Sequence, residues 1–359
     1  MSLSRPLLFF HIEKAGGSSI EGAVTEHVLR GAPVLPGGRD PQRVRVAQAL
    51  QGQLGDINRT VMIPGHFGLS PFLLEQTILR LVNHTACAIA FMGHFSALPL
   101  IRLLVRIDRG EFGPTRCQRW PWAKTGDLTS RAWEAMAYSN CIAVLRDPFD
   151  RARSSWNFFN YAGGSNCRQH CRSAGATGFK TSIVRSTAGW CADCLPHNFN
   201  NAIGVYGLDR VLRMTHGSLA LHRLGSLSGG LASSFTGNAS EDHASKLKRA
   251  KCTLDNCQIV GTISDINSIL RAIAIQYTAL PCGTTAKANW NHWNNHAAKE
   301  ETSAPLRKRV NGQLNADAEL YEMARHRGKM LARLSCDERG RGLRAGDTGA
   351  RTHSHGVCS

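Results

Sequence analysis

The chain has 359 residues, 42% hydrophobic and 19% charged, so it can bury a sizeable core and its composition excludes an intrinsically disordered protein. Its 43 lysines and arginines against 26 aspartates and glutamates give a formal charge of +17, which favours a polyanionic partner: nucleic acid, anionic polysaccharide, anionic lipid or a phosphorylated cofactor. The sequence offers no run of the roughly 18 to 20 apolar residues that a membrane span needs.

Short apolar segments alternate with helical patterns along the chain. Apolar runs predict buried strands at residues 7–12, 61–64, 86–92, 141–145 and 258–262. Helical spacing predicts helices at residues 18–30, 99–107, 150–160, 266–277 and 317–334. Continuous apolar strands that alternate with helices are typical of a parallel sheet, so we predict an α/β fold.

Three segments lack this patterning. Residues 110–132 hold prolines and basic residues among turn formers and predict a surface insertion, and residues 161–200 predict irregular structure because they are rich in glycine, cysteine, asparagine and serine. Residues 338–351 carry four arginines and little apolar surface, which predicts disorder. We expect one domain over residues 1–335, with insertions at about 108–135 and 161–255, followed by a disordered basic tail over 336–359.

The first predicted strand leads into Lys14, the pair Gly16-Gly17 and then Ser18-Ser19. In α/β folds a strand-to-helix turn at the carboxyl edge of the sheet is where ligands bind. Glycines leave no Cβ to block a phosphate, and the amides of residues 17–19 would point at an anion at the helix N-terminus. The pattern predicts an anion-binding turn, although the Walker pattern GxxxxGK[ST] is absent. A serine-capped glycine turn with Lys14 in solvent is the structural alternative.

The strand predicted at residues 141–145 leads into a second turn of the same kind. Pro148 suits the first turn of a helix and Asp147 suits its N-cap. Arg146 stands at the strand end, where a guanidinium can bind a phosphate through two hydrogen bonds, and Ser154 lies two turns into the helix. The alternative is a capped helix with a basic face, in which Arg146 pairs with Asp150.

Both turns resemble elements of the carbohydrate sulfotransferases of the Golgi lumen. HIEKAGGSS is similar to that family's HIPKTGGTS, and LRDPFDRARSSWNFF is similar to its LRDPVERFLSxYxF. Further along, QIVGTISDINSIL and NADAELYEMARHRGKMLARL resemble the family's VGLTE segment and its DxxLYxxA helix. The resemblance runs over residues 5–335 and is weak at 100–140 and 161–255. It implies a P-loop-like, three-layer α/β/α fold around a central parallel sheet, with irregular insertions.

The resemblance also implies an activity, the transfer of a sulfuryl group from 3'-phosphoadenosine 5'-phosphosulfate (PAPS) to a carbohydrate hydroxyl, with no metal. Its first element would hold the 5'-phosphosulfate of PAPS, here through Lys14, Ala15, Gly16, Gly17, Ser18 and Ser19. Its second element would hold the 3'-phosphate through Arg146 and Ser154. Two departures weaken the first element: Glu13 stands where the family has proline, and Ala15 where it has threonine.

Sulfuryl transfer requires stabilisation of the leaving phosphate and a general base for the acceptor hydroxyl. Lys14 suits the first role. For the base, relatives place a histidine after a strand in a Gly-His setting, and both His66 and His94 stand in a Gly-His-Phe sequence that follows an apolar run. We favour His66, because glycines lie close on both sides of it; His94 is the second candidate. His11 is a third, because some relatives use a histidine near their first element.

Cysteines and glycosylation sequons favour a secretory compartment. The chain has 12 cysteines, and sequons begin at Asn58, Asn83 and Asn238. We therefore expect a glycoprotein of the Golgi lumen or membrane, held there by an N-terminal anchor that this chain does not include. The cysteine quartet at 167, 171, 191 and 194 is expected to form disulfides rather than a zinc site, Cys252 and Cys257 to close a small hairpin, and Cys87 and Cys141 to be buried thiols.

Two other functions compete with sulfuryl transfer to an anionic polysaccharide. One is a non-catalytic, basic glycan- or nucleotide-binding protein with a sulfotransferase-like fold, which the departures at Glu13 and Ala15 favour. The other is a nucleotide kinase-like phosphotransferase, which the missing Walker pattern disfavours. We expect no nucleic-acid partner.

Overall fold

The computed structural model describes residues 7–12, 15–17, 19–20, 23–24, 61–65, 89–93, 96–109, 128–159, 198–227, 242–277, 303–333, 335–336 and 342–343. The chain divides into two compact units. The first unit comprises Met1–Leu145, Ala220–Ala286 and Glu322–Ser359. The second unit comprises Arg146–Leu219 and Lys287–Tyr321. The predicted domain limits of 1–335 and 336–359 stay a prediction.

The first unit contains a parallel sheet of five strands. They are β1 (Leu7–His11), β2 (Val61–Gly65), β3 (Ile89–Gly93), β4 (Asn140–Leu145) and β5 (Ile259–Thr262). Their order is β2-β3-β1-β4-β5, and every neighbouring pair is parallel. The predicted α/β class and all five predicted strands are therefore confirmed. Because the strands are parallel, their carboxyl ends share one edge of the sheet.

Strands β1, β4 and β5 are buried at every position. Successive side chains of a strand point to opposite faces, so both faces of these strands are covered, which is why their sequences read as continuous apolar runs. Part of the core comprises Leu7, Phe9, Ile20, Val24, Ile142, Val144, Ile259, Ile269 and Ile273. This cluster packs one face of the sheet against the helix that follows β5.

Three helices that the sequence predicts lie wholly or partly in the first unit. Helix α1 (Ala97–Asp108) follows β3, and helix α8 (Ile266–Tyr277) follows β5 after a short 3-10 turn. Helix α10 (Asn315–Leu331) takes the place of the predicted helix 317–334. Two more were not predicted as elements: α2 (Leu128–Tyr138) and α7 (His243–Asn256).

Helix α2 begins within the last five residues of the surface insertion predicted over 110–132; residues 110–127 lie outside the described residues, so the insertion itself stays a prediction. The described residues of α2 include a buried face formed by Arg131, Ala132, Trp133, Ala135 and Met136. Turn formers and basic residues dominate the sequence just before it, so the local composition concealed the start of a helix.

A disulfide between Cys141 and Cys257 joins the start of β4 to the residue that follows α7. This pairing overturns two expectations: Cys141 is not a buried thiol, and Cys257 does not close a hairpin with Cys252. Cys252 is disulfide-bonded as well. Cys87 and the cysteine quartet lie outside the described residues.

The second unit is helical in its described part. Helix α3 (Pro148–Phe159) matches the helix predicted at 150–160. Helices α4 (Phe199–Tyr206), α5 (Leu208–Met214) and α9 (Ala304–Gln313) pack with it, and α6 (Leu219–Gly225) begins at the end of the unit. The core of the unit includes Phe149, Trp156, Phe199, Leu212 and Val310. Phe149 meets Phe199 edge to face, with ring centroids 5.4 Å apart.

Part of the tail predicted as disordered forms a short strand: β7 (Gly342–Leu343) pairs antiparallel with β6 (Ser335–Cys336).

Among the described residues, no helix has the length and apolar character that crossing a bilayer requires.

Candidate functional site

The strand order places a topological switch point between β1 and β4. These strands are neighbours, and the chain continues from β1 to β2 on one side of them and from β4 to β5 on the other. In open α/β sheets, ligands bind outside the carboxyl ends of such a strand pair. The two anion-binding turns predicted from the sequence are those that follow β1 and β4.

After β1 the chain makes a tight turn and enters a helix. The Ala15 amide donates to the carbonyl oxygen of Ile12 at 3.1 Å, and Gly16 adopts a φ of +80°, a conformation that favours glycine. The Ser19 amide donates to the Gly16 carbonyl oxygen at 3.2 Å. That amide is therefore used within the turn, which corrects the expectation that it points at an anion.

The two glycines of this turn have close packing neighbours. A Cβ atom added at Gly16 would lie 2.9 Å from Cγ1 of Ile263, in the 3-10 turn after β5. A Cβ atom added at Gly17 would overlap the His11 imidazole, 2.5 Å from both Cγ and Nε2. The His11 ring is 8% exposed and stacks on Phe9 at a centroid distance of 5.9 Å. We predicted from the sequence that the glycine pair serves phosphate binding. Close packing is by itself a sufficient reason for glycine at both positions.

Four of the predicted site residues lie outside the described residues: Lys14, Ser18, His66 and His94. The strands before the two histidines are described. Gly65 at the end of β2 pairs with Gly93 at the end of β3, so both Gly-His-Phe sequences begin at the carboxyl edge of the sheet.

The turn after β4, in the second unit, is capped by two side chains. The Asp150 amide donates to Asp147 Oδ1 at 3.1 Å, which confirms the predicted N-cap. The Phe149 amide donates to Asn311 Oδ1 at 3.1 Å, and Asn311 Nδ2 donates to Asp147 Oδ2 at 3.2 Å. Because these partners take up first-turn amides, an anion here would depend on side chains rather than on the helix N-terminus.

Arg307 on α9 makes ion pairs with both acidic residues of this turn. Its Nη1 lies 2.8 Å from Asp147 Oδ1, and its Nη2 lies 3.0 Å from Asp150 Oδ1. Asp150 also pairs with Arg153 at 3.1 Å. The sequence reading missed Arg307 and Asn311, since no local pattern links them to a turn about 160 residues earlier.

Arg146, which precedes the cap, is half-buried. Burial lowers the pKa of its guanidinium below the usual value; the charge of Asp150 opposes this shift, and the charge of Arg153 adds to it. An arginine remains a cation under these conditions, and a partly desolvated cation interacts more strongly with an anion than a solvated one does.

Ser154 has a buried hydroxyl without a hydrogen-bond partner among the described residues. The residue is 7% exposed, and its Oγ forms no hydrogen bond to any part of the chain that the structure describes. One helical turn further along, Oδ1 of the buried Asn157 also forms no hydrogen bond within the described part of the chain. Buried polar atoms are nearly always hydrogen-bonded, so this hydroxyl is a candidate to bind a ligand.

Arg151, in contrast, has a structural role. Its side chain is 1% exposed, and its two terminal nitrogens donate to the carbonyl oxygens of Thr215 and Gly217 at the end of α5. The described residues contain no group of three metal-ligating side chains.

A scan against protein-family models, a search of curated proteins and a search of solved structures each found no match to the chain.

Proposed function

We propose that this chain is a PAPS-dependent sulfotransferase that acts on a carbohydrate hydroxyl and that its sheet belongs to a P-loop-like, three-layer α/β/α fold. One observation carries the proposal. Ser154, on the helix that begins two residues after Arg146, presents a buried hydroxyl with no hydrogen-bond partner among the described residues, and Ser154 and Arg146 are the two residues that the resemblance assigns to the 3'-phosphate. A phosphate would supply the acceptor oxygen that this hydroxyl lacks among the described residues, and it carries the negative charge that a guanidinium binds.

The sheet topology supports the choice of these two turns. The residues proposed to hold the 5'-phosphosulfate, at positions 14–19, follow β1, and those for the 3'-phosphate follow β4. These are the two strands that flank the switch point, where α/β sheets bind ligands.

In the proposed reaction, the acceptor hydroxyl oxygen attacks sulfur as the bond between sulfur and the 5'-phosphate oxygen breaks. Lys14 stabilises the negative charge that develops on the leaving phosphate, and the product is adenosine 3',5'-bisphosphate (PAP). The hydroxyl proton passes to a histidine, for which His66 is the first candidate and His94 the second. No metal takes part.

The acceptor we propose is an anionic polysaccharide, because the chain carries a formal charge of +17. The proposed compartment is the Golgi lumen, an oxidising environment in which disulfides such as Cys141–Cys257 persist.

The test measures nucleotide binding and sulfate transfer separately. Calorimetry with PAP should show binding that is tighter than the binding of AMP, which has no 3'-phosphate. Transfer of radiolabelled sulfate from PAPS should then be measured on a panel of glycans, for the wild type and for the variants His66→Ala and His94→Ala. Absence of PAP binding would exclude the sulfotransferase, and full transfer by both variants would exclude both histidines as the base.

A non-catalytic glycan- or nucleotide-binding protein is the second candidate. It is favoured by the contact of Gly17 with His11, since packing gives the glycine turn a reason to exist without a phosphosulfate. Binding of PAP without sulfate transfer to any glycan of the panel would support this alternative.

A further inference from the structure

Two buried polar side chains of α3 have atoms without hydrogen-bond partners. Ser154 is 7% exposed and Asn157 is 9% exposed. The hydroxyl oxygen of Ser154 and Oδ1 of Asn157 form no hydrogen bond to any part of the chain that the structure describes. Buried polar atoms are nearly always hydrogen-bonded, so two such atoms on one helix mark a candidate ligand site.

The two residues lie on one face of α3, because positions three apart on a helix are neighbours. A different face of the same helix, which carries Phe149, Ala152 and Trp156, packs in the core of the second unit. The polar pair is therefore separate from the apolar contacts that hold α3 in place.

Ser154 and Asn157 do not satisfy each other. A hydroxyl can donate and an amide oxygen can accept, so neighbouring side chains of these two types are able to form a hydrogen bond. In the structure they do not, since both atoms are without a partner among the described residues. The helix therefore places an available hydroxyl next to an available amide oxygen.

A phosphate can bond to only one of these two atoms. Its ionised oxygens accept hydrogen bonds, which suits the Ser154 hydroxyl but not Oδ1 of Asn157, which needs a donor. In the nucleotide proposed above, the carbon that carries the 3'-phosphate is bonded to the carbon that carries the 2'-hydroxyl. The ribose therefore offers a hydrogen-bond donor beside the phosphate.

We propose that Asn157 is a specificity-determining residue for the nucleotide: its Oδ1 accepts a hydrogen bond from the 2'-hydroxyl of the ribose whose 3'-phosphate accepts from Ser154. This inference rests on the proposed function, which supplies the nucleotide and assigns its 3'-phosphate to Ser154. A nucleotide without the 2'-hydroxyl leaves a buried acceptor unpaired, so the site selects ribonucleotides over deoxyribonucleotides.

The experiment is calorimetry on the full chain with three nucleotides: PAP, AMP and 2'-deoxyadenosine 3',5'-bisphosphate, which keeps the 3'-phosphate and lacks the 2'-hydroxyl. The 2'-hydroxyl preference is the dissociation constant of the deoxynucleotide divided by that of PAP. For the wild type it should be about tenfold, the effect of losing one hydrogen bond and leaving its buried partner unsatisfied.

Two variants of Asn157 separate the acceptor from the rest of the side chain. Asn157→Leu keeps a similar size without the acceptor and should abolish the preference. Asn157→Asp keeps an acceptor and should retain the preference, while its negative charge weakens the binding of both bisphosphates. The matched control is Asn256→Leu, at a half-buried asparagine of α7 whose Nδ2 donates to the Cys252 carbonyl oxygen at 2.9 Å, and it should leave the preference unchanged.

A merely structural role for Asn157 gives a different result, because both bisphosphates would then lose affinity equally in Asn157→Leu and their ratio would stay at the wild-type value. That outcome overturns the inference, as does a wild type that prefers PAP to AMP but binds the deoxynucleotide as tightly as PAP; in both cases the proposed function stands. A wild type that does not prefer PAP to AMP overturns the proposed function, and this inference with it.

Discussion

The imidazole of His11 occupies the space that a side chain at residue 17 would need. His11 is the last residue of β1, and Gly17 begins the helix after the turn, so the contact fixes how closely the helix approaches the strand. The same turn is proposed to bind the 5'-phosphosulfate. Gly17 therefore has two separate reasons to lack a side chain, the contact with His11 and the proposed binding of the 5'-phosphosulfate. The two can be tested separately.

The variant Gly17→Ala should destabilise the protein by about 1–3 kcal/mol, the usual range for a methyl group forced into a filled space. The free energy of unfolding in urea measures this. Gly204→Ala is the control, because a Cβ there meets nothing within 4 Å inside α4, and it should stabilise by about 0.5–1 kcal/mol through helix propensity. If the imidazole is the obstacle, Gly17→Ala should cost less in a His11→Ala background; equal costs in both backgrounds would contradict the contact.

The sequence predicted the sheet better than the helices around it. All five strands were located, because strands buried on both faces are continuous apolar runs that stand out against their surroundings. Helix α2 was missed, since the stretch before it is rich in turn formers and conceals where the helix begins.

The site was predictable only where its parts are local in sequence. The Asp147 cap lies within three residues of the amide that it accepts from, so a motif reveals it. The Arg307 ion pairs and the Cys141–Cys257 disulfide join positions 160 and 116 residues apart, and such pairings depend on tertiary packing that one sequence does not display. The Ser154 hydroxyl could be placed on a helix from sequence, but its lack of a hydrogen-bond partner in the described part of the chain is a property of the fold.

Arg327 on α10 should stabilise the first unit by capping α7. Its guanidinium donates to the carbonyl oxygens of Leu254 and Cys257, which are C-terminal acceptors of that helix. We expect Arg327→Ala to cost about 1–3 kcal/mol in urea unfolding, because it removes hydrogen bonds from a charged donor to two backbone carbonyl oxygens. The control Arg325→Ala, two positions earlier on the same helix, removes an exposed ion pair with Glu322 and should cost less than about 1 kcal/mol. Equal losses would contradict the capping role.

The stability that Asp242 contributes at the N-terminus of α7 should depend on pH. Its carboxylate accepts from the Ser245 amide at 2.9 Å and from the Ser245 hydroxyl at 3.0 Å, and these hydrogen bonds lower the pKa of Asp242 below its usual value. A carboxyl group whose pKa is lower in the folded state contributes stability above its unfolded pKa, about 3.9, and loses it as the pH falls through the folded pKa.

Because the pKa of Asp242 is lowered in the folded state, replacing Asp242 should matter at neutral pH and not in acid. At pH 7 the variant Asp242→Ala should be less stable than wild type in urea, and the difference should shrink as the pH falls below about 4, where the carboxylate is protonated. Asp242→Asn keeps a capping oxygen without a titrating group, so at pH 7 it should lie between wild type and the alanine variant. A difference between wild type and Asp242→Ala that stays constant down to pH 2 would show that the carboxylate is not the source of the effect.

Ser154 allows binding to be separated from folding. Its hydroxyl is buried without a hydrogen-bond partner in the described part of the chain, so Ser154→Ala removes a polar group that contributes nothing to the free protein. We expect the free energy of unfolding to stay constant or to rise by up to about 1 kcal/mol, whereas the affinity for PAP falls about tenfold with the loss of a hydrogen bond to phosphate. Urea unfolding and calorimetry on the same preparation measure the two effects.

The matched control for Ser154 is Ser139, a buried serine whose hydroxyl donates to the Ala135 carbonyl oxygen at 2.6 Å. Ser139→Ala should show the opposite pattern: a loss of about 1 kcal/mol in stability, because a satisfied hydrogen bond is removed, with no change in PAP affinity. If Ser154→Ala instead loses stability and keeps its PAP affinity, its hydroxyl serves the fold rather than a ligand. A 3'-phosphate beside Arg146 would then have no partner in the Ser154 hydroxyl.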